Sequence, residues 1–412
     1  MSTVGIKNVK DSYLFDIANL RQWRYEVATA MTFTMDTKIV FGNQCINQVP
    51  ELLEKNSFKR AFLVSDQGVK SAGILSIVED VLECNGISTC VYTEISPNPT
   101  VEEVQTAHSA SLDFAPDIII GIGGGSPIDA AKVLAVLSTN PIEVADLEGV
   151  DKYHNFPVPL LAIPTTAGTG SEVTVFSVIT DKSRDYKITI GGRSMAPKWA
   201  FLDPGLTQSL PQSITASTGL DALVHAIESY TSTMSSPLSE LFSTEAIKLI
   251  SRNLRQAVFN GSNLEARSSM IYASLLAGVA FSNTRLGNVH AMSHPLSAIY
   301  NVPHGVANAM LLPTVMKFNL LSVPEKFSDI ALLMGVPRTS SDTILSHAYK
   351  SIDTVETLSR DIGIPDSFTQ FGVVKSSIPN MAKDAMKSGN ISVNPRKSKL
   401  QDIIELYESV ID

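Results

Sequence analysis

The chain has 412 residues, 44% apolar and 18% charged, with a formal net charge of −9. That length calls for two domains of about 150 to 200 residues each, the composition excludes a disordered chain, and an acidic balance without a long basic run excludes a nucleic-acid surface. Cys45, Cys84 and Cys90 lack CxxC spacing and point to a reducing, cytoplasmic compartment, while no stretch approaches a signal-peptide core or the ~18 apolar residues of a membrane span.

From residue 60 short β-rich runs alternate with helical stretches. RAFLVSD (60–66) and STCVY (88–92) read as strands, with one amphipathic helix across GVKSAGILSIVEDVLECNG (68–86) between them. A helix around 100–114 leads to PDIIIGIGGG (116–125), a continuous apolar run of the buried parallel-strand type, and VPLLAIPTT (158–166) is another. Alternation at this spacing predicts a doubly wound, Rossmann-like parallel sheet. Runs at 173–180, 186–190 and 199–203 read as further strands, with a hairpin at the sheet edge. After the turn-rich LDPGLTQSLPQ (202–212) the apolar period becomes 3.6, as in STEAIKLISRNLRQAVF (243–259), and the remainder reads as successive helices. The expected architecture is an α/β dinucleotide-binding domain over 31–211 followed by an all-helical metal-binding domain over 212–412.

GIGGGSPIDAAK (121–132) lies where an apolar strand ends and a helix begins. Gly123, Gly124 and Gly125 let backbone approach a ligand closely, Ser126 suits the N-cap, and Pro127 suits the first turn. The free N–H groups and dipole of that helix end favour an anion, and a dinucleotide pyrophosphate is the natural occupant. The acidic residue expected about twenty positions later is missing. Asp66, at the end of AFLVSD, is the candidate ribose acceptor, which would favour NAD over NADP; its alternative is to cap the next helix. Asp129 in the following helix and the loop IPTTAGTGSE (163–172), with Thr165, Thr166 and Thr169, complete the expected cofactor contacts.

In TGLDALVHAIES (218–229), Asp221 and His225 stand four apart on one apolar helix face. In HAMSHPLSAIYNVPHG (290–305), His290 and His294 repeat that spacing, and His304 follows a loop from which it can point back. Each alone reads as a buried hydrogen-bonded residue. Beside a nucleotide loop the set reads as a divalent-metal site with an open position for a substrate oxygen. Five candidates for about four positions leave one for proton transfer.

These motifs, with HAMSHPLSAIYNVPHGVANAMLLP and NPRKSKLQDIIELY, resemble the iron-containing (group III) alcohol dehydrogenase family from about residue 32 to the end. The resemblance implies Asp221, His225, His290 and His304 as metal ligands. It puts His294 beside nicotinamide and substrate, and Gly124, Gly125, Ser126, Thr165 and Thr166 on the cofactor. Iron and zinc both suit such a set. Residues 1–30 have no counterpart in the resemblance and are expected to be an extension of unknown role.

The expected protein is an NAD-dependent, metal-dependent alcohol dehydrogenase or aldehyde reductase, a cytoplasmic homodimer or larger homo-oligomer acting on a short-chain small molecule. Arg285 stands where the family suggests a small or neutral residue. It reads either as a surface arginine or as a clamp for an anionic tail, as on succinic semialdehyde or sulfoacetaldehyde. Phe281 and Phe176 are its expected companions at the substrate. The alternative is a metal- and NAD-dependent lyase or cyclase of the dehydroquinate synthase type, expected to carry a basic cluster and, by resemblance, a Glu where Asp221 stands.

Overall fold

Six parallel strands form the central sheet: β1 (Lys38–Phe41), β2 (Arg60–Val64), β3 (Ser88–Tyr92), β4 (Ile118–Gly123), β6 (Leu160–Pro164) and β9 (Trp199–Leu202). Their order is β1-β9-β6-β4-β2-β3. The computed structural model describes residues 31–184 and 186–411. The expected extension, residues 1–30, lies outside the described residues.

Both sheet faces are buried, which is why the strands read as apolar runs rather than alternating ones. Successive residues of β2 enter opposite cores, Ala61 and Leu63 on one face, Phe62 and Val64 on the other. One core is closed by α1 (Val49–Lys55) and α3 (Ile74–Glu83), the other by α4 (Val101–Leu112) and α5 (Gly125–Leu137).

Sequence order and spatial order diverge at β2. The chain steps outward to β3, then returns to place β4 on the other side of β2. Ligands of doubly wound sheets bind at the carboxyl ends of strands flanking such a reversal. Here those ends carry Asp66 after β2, the glycines after β4 and the threonines after β6.

Several expectations change. The helix expected over 68–86 is two, α2 (Gln67–Ser71) and α3, because Gly73 takes a left-handed φ of +75° between them. The hairpin, β7 (Phe176–Asp181) with β8 (Tyr186–Gly191), is not at the edge of the main sheet. It forms a second three-stranded sheet with the short β5 (Gly149–Val150), whereas β9 inserts between β1 and β6. The edge strand β1 carried no sequence signal strong enough to be read. Ser126 is not the N-cap of α5: Gly124 holds that position, and the Ser126 hydroxyl donates to the Pro97 carbonyl at 2.6 Å.

From residue 212 the described chain is helical: α6 (Gln212–Thr231), α7 (Pro237–Phe259), α8 (Leu264–Thr284), α9 (Asn288–Tyr300), α10 (His304–Leu320), α11 (Pro324–Leu333), α12 (Ile344–Asp361), α13 (Ile378–Ala385) and α14 (Leu400–Glu408), with short 3-10 turns. The loop after β6 meets these helices backbone to backbone. Gly170 has a φ of +62°, and a Cβ added there would stand 2.7 Å from the Gly278 Cα on α8. Gly170→Ala therefore meets both left-handed strain and a backbone that cannot yield. It is expected to destabilise the fold by about 1–3 kcal/mol, read as a lower urea midpoint at unchanged slope.

Candidate metal and nucleotide site

Asp221, His225 and Glu228 sit at positions i, i+4 and i+7 of α6, so one buried face carries all three. Asp221, 2% exposed, lies at its centre. His225 Nε2 is 4.0 Å and His290 Nε2 3.7 Å from Asp221 Oδ1. Asp221, His290 and His304 offer ligand atoms that all lie within 4.8 Å of one another. His225 stacks on His290 with ring centroids 4.7 Å apart.

The other ring nitrogens fix which atom faces inward. His225 Nδ1–H donates to the Gly168 carbonyl at 3.1 Å, in the loop after β6. His290 Nδ1 lies 2.6 Å from Glu228 Oε2. His225 therefore turns an unprotonated Nε2 toward Asp221, and the Nε2 of His290 faces the same carboxylate. His304 opens α10 directly after Pro303, so the helix start sets its direction; its Nδ1 is buried without a hydrogen-bond partner among the described residues.

Asn308, one turn after His304, confirms the convergence. Its Nδ2 lies 2.6 Å from Asp221 Oδ1, 3.0 Å from His290 Nε2 and 3.1 Å from His304 Nε2. An amide nitrogen has two hydrogens and here meets three acceptors.

The electrostatics suit a cation. Burial pushes the Asp221 carboxyl up, against the pull of His225 and the Asn308 hydrogen bond. Burial and neighbouring imidazoles hold His290 well below the usual histidine range, and burial with Lys187 does the same for His304. A buried carboxylate facing neutral imidazoles needs compensating charge. A divalent ion fits this Asp/His donor set.

His294 stands beside the set, its ring centroid 5.6 Å from that of His304. Burial, with Lys187 adding to it, pushes its pKa down to about 3. Pro295 follows it inside α9 and removes one backbone donor there. Phe281 stacks on His225 at 4.4 Å between centroids. Phe176 opens strand β7 and pairs with Gly191 in the hairpin, where a Cβ at Gly191 would stand 2.5 Å from its ring. Arg285 is exposed, ends α8 at a φ of +57°, and holds its guanidinium against Gly389.

At the strand ends the nucleotide elements meet. Gly123 has a φ of +144°, where a Cβ would stand 2.8 Å from Pro127. A Cβ at Gly125 would stand 2.9 Å from Thr169, and one at Gly124 3.4 Å from Thr166. Thr165 N–H donates to the Gly123 carbonyl at 2.9 Å. Asp66 caps α2, its Oδ1 accepting from Val69 N–H at 2.8 Å while Oδ2 faces Gly123. Asp129 is committed within the protein: Oδ1 accepts from the Ser171 hydroxyl at 2.5 Å and Oδ2 from Val178 N–H at 2.9 Å.

Residues 36–204 match the iron-containing alcohol dehydrogenase family, and residues 215–411 match the C-terminal part of the Fe-containing alcohol dehydrogenase family. The 1,3-propanediol dehydrogenase of Klebsiella pneumoniae is 42% identical over 89% of this chain and 95% of its own. The chain belongs to the iron-containing alcohol dehydrogenase family. The crystal structure of a 1,3-propanediol oxidoreductase aligns with a TM-score of 0.90 and 40% identity, covering 93% of this chain and 100% of that one. A sulfoacetaldehyde reductase from Bifidobacterium kashiwanohense, solved in complex with NAD+, aligns with a TM-score of 0.84 and 28% identity over 93% and 99% of the two chains. Membership makes the protein an oxidoreductase acting on alcohols, as the sequence motifs led us to expect.

Three residues of this dehydrogenase site escaped the sequence reading. Glu228 was visible as the third member of an i, i+4, i+7 face, and Asn308 as the residue one turn after His304. Lys187 on β8 gave no signal: a lone lysine in a strand reads as surface. It is half-buried, donates to Asn98 Oδ1 at 2.9 Å, and desolvation lowers its pKa to about 8.

His225→Ala or His304→Ala is expected to lose bound divalent metal while keeping the far-UV circular dichroism of the native chain. Elemental analysis of the dialysed variants checks it, and metal retained by His304→Ala would remove that residue from the ligand set.

Proposed function

We propose that this protein is an NAD-dependent, metal-dependent alcohol dehydrogenase or aldehyde reductase acting on a short-chain substrate. The observation that carries the reading is the convergence of Asp221, His290 and His304, with His225 Nε2 4.0 Å from Asp221 and its Nδ1 bonded to Gly168 in the threonine loop after β6. Those four would hold one divalent ion, iron or zinc. Gly123, Gly124, Gly125, Ser126, Thr165, Thr166 and Thr169 would line the dinucleotide, with Asp66 Oδ2 toward its ribose. The half-buried Lys187, whose charge bears on His294 and His304, adds positive charge suited to an anionic cofactor. The cleft then lies between residues 31–211 and 212–412.

The ion supplies Lewis acidity toward the substrate oxygen, and NADH the hydride. His294 would relay the proton, neutral throughout: directly or through a water it would pass the hydroxyl proton on to solvent when an alcohol is oxidised and hand one in from solvent when a carbonyl is reduced. Phe281, stacked on His225, shields that side of the site from water.

Relatives named for propanediol and sulfoacetaldehyde support a short substrate; the latter also carries an anionic tail. The anionic-tail reading needs Arg285 to leave Gly389 and reach the cleft. A lyase or cyclase activity is not favoured, since these relatives are dehydrogenases and reductases and Asp, not Glu, holds position 221. Homo-oligomeric assembly and a cytoplasmic location belong to the same proposal; no described helix is long and apolar enough to cross a membrane.

The test is NADH oxidation by metal-loaded protein across propanal, 3-hydroxypropanal, succinic semialdehyde and sulfoacetaldehyde. No turnover with any of them, in iron- and zinc-loaded protein alike, would overturn the reading. His294→Ala should keep its ion and lose about 10²–10⁴-fold in kcat, the usual worth of a positioned proton-transfer group; metal lost in proportion to activity would make His294 a ligand instead. Asp66→Gly should narrow the preference for NAD over NADP. Glycine is the right replacement because it costs a helix cap only a few tenths of a kcal/mol, and an unchanged cofactor ratio would leave Asp66 a cap alone.

A further inference from the structure

Glu228 has no ligand role in the reading above, yet it is buried at the junction of the two helices that supply three of the four proposed ligands. We propose that Glu228 is the positioning residue of the metal site: its carboxylate locks His290 in the Nδ1–H tautomer and aims the unprotonated Nε2 at Asp221. This inference rests on the ligand set of the proposed function.

The geometry is specific. Oε2 accepts from His290 Nδ1–H at 2.6 Å, and Oε1 accepts from Val289 N–H at 2.7 Å. Two adjacent residues at the start of α9 are thus held by the two oxygens of one side chain. The approach depends on Gly287, where a Cβ would stand 2.8 Å from Oε1. The N-terminal end of α9 favours a carboxylate here. Because Asp221, His225 and Glu228 share one face of α6, the same rigid rod that presents two ligands orients the ring of a third. An imidazole that donates from Nδ1 to a carboxylate is fixed in rotation and is the better donor at Nε2.

A purely structural role predicts something different. Asn394 also secures the start of α9, its Oδ1 accepting from Asn288 N–H at 3.3 Å, but it does not touch His290. If Glu228 only anchors the helix, Glu228→Gln and Asn394→Ala should weaken metal binding in step with their loss of thermal stability. If Glu228 sets the tautomer, Glu228→Gln should weaken metal far beyond its effect on stability. A glutamine can accept from Val289 through its oxygen, but its NH2 then faces His290 and favours a proton on Nε2, where the ligand lone pair belongs.

The experiment measures Zn2+ and Fe2+ dissociation constants by chelator competition on the metal-free full-length chain, its Glu228→Gln, Glu228→Asp and Asn394→Ala variants, and His304→Ala. Second-sphere partners of this kind are worth about 10- to 100-fold in metal affinity, and that loss is expected for Glu228→Gln. Glu228→Asp, which keeps the charge on a shorter arm, should recover part of it, and Asn394→Ala should stay within about twofold of the parent. Wild-type affinity in Glu228→Gln, or a loss matching that of Asn394→Ala at equal melting temperature, overturns the proposal. Should Glu228→Gln not fold, ring-nitrogen NMR of the parent decides: a proton on His290 Nδ1 is expected, and one on Nε2 overturns it. His304→Ala separates the two readings. Metal kept there sinks the ligand set itself, whereas metal lost there but kept in Glu228→Gln sinks only this inference.

Discussion

The structure is organised around one buried carboxylate. Asp221 sits mid-helix at 2% exposure, with imidazole nitrogens at 3.7 and 4.0 Å and no lysine or arginine ion pair among the described residues. Burying such a group is unfavourable unless its charge is met, and the neighbours shape a pocket in which a cation would meet it. Asn308 donates to it, but the lone pairs that His225 and His290 turn inward, with the Gly168 carbonyl and Glu228 behind them, add no positive charge, so a bound cation would complete the compensation.

Much of this was legible in the sequence, and the reasons are periodic. The strands β2, β4 and β6 announced themselves because a strand buried on both faces has no polar residue to interrupt it. Asp221 and His225, and His290 and His294, announced themselves because four residues close one helical turn, so chemistry at that spacing shares a face. What stayed illegible lacks a local signature. Strand β1 is short and half-exposed, and the second sheet depends on where β5 travels, which no window of residues encodes. The split between α2 and α3 rested on Gly73, one glycine in a run whose amphipathic pattern continues on both sides.

The same distinction holds within the site. A glycine triplet tells that backbone must come close to something, but Ser126 shows that it does not tell which residue caps: the hydroxyl turned instead to the Pro97 carbonyl. Asp129 and Lys187 are reversed in character. The aspartate in the nucleotide helix is spent on Ser171 and Val178, while the lysine from a distant hairpin bonds to Asn98 and bears electrostatically on His294 and His304. Polar residues near a site are sorted by tertiary contacts that spacing does not carry.

The ligand set runs from residue 221 to residue 304, and the loops beside it from 66 to 169, in a sheet whose neighbours are mostly non-consecutive. Parallel pairing of this kind closes long loops before it returns contacts, so folding is slow and the distant segments join late. Asp221, His290 and His304 lie on three different helices and meet only where α6, α9 and α10 have packed together. Metal uptake is therefore expected to report finished folding rather than to trigger it.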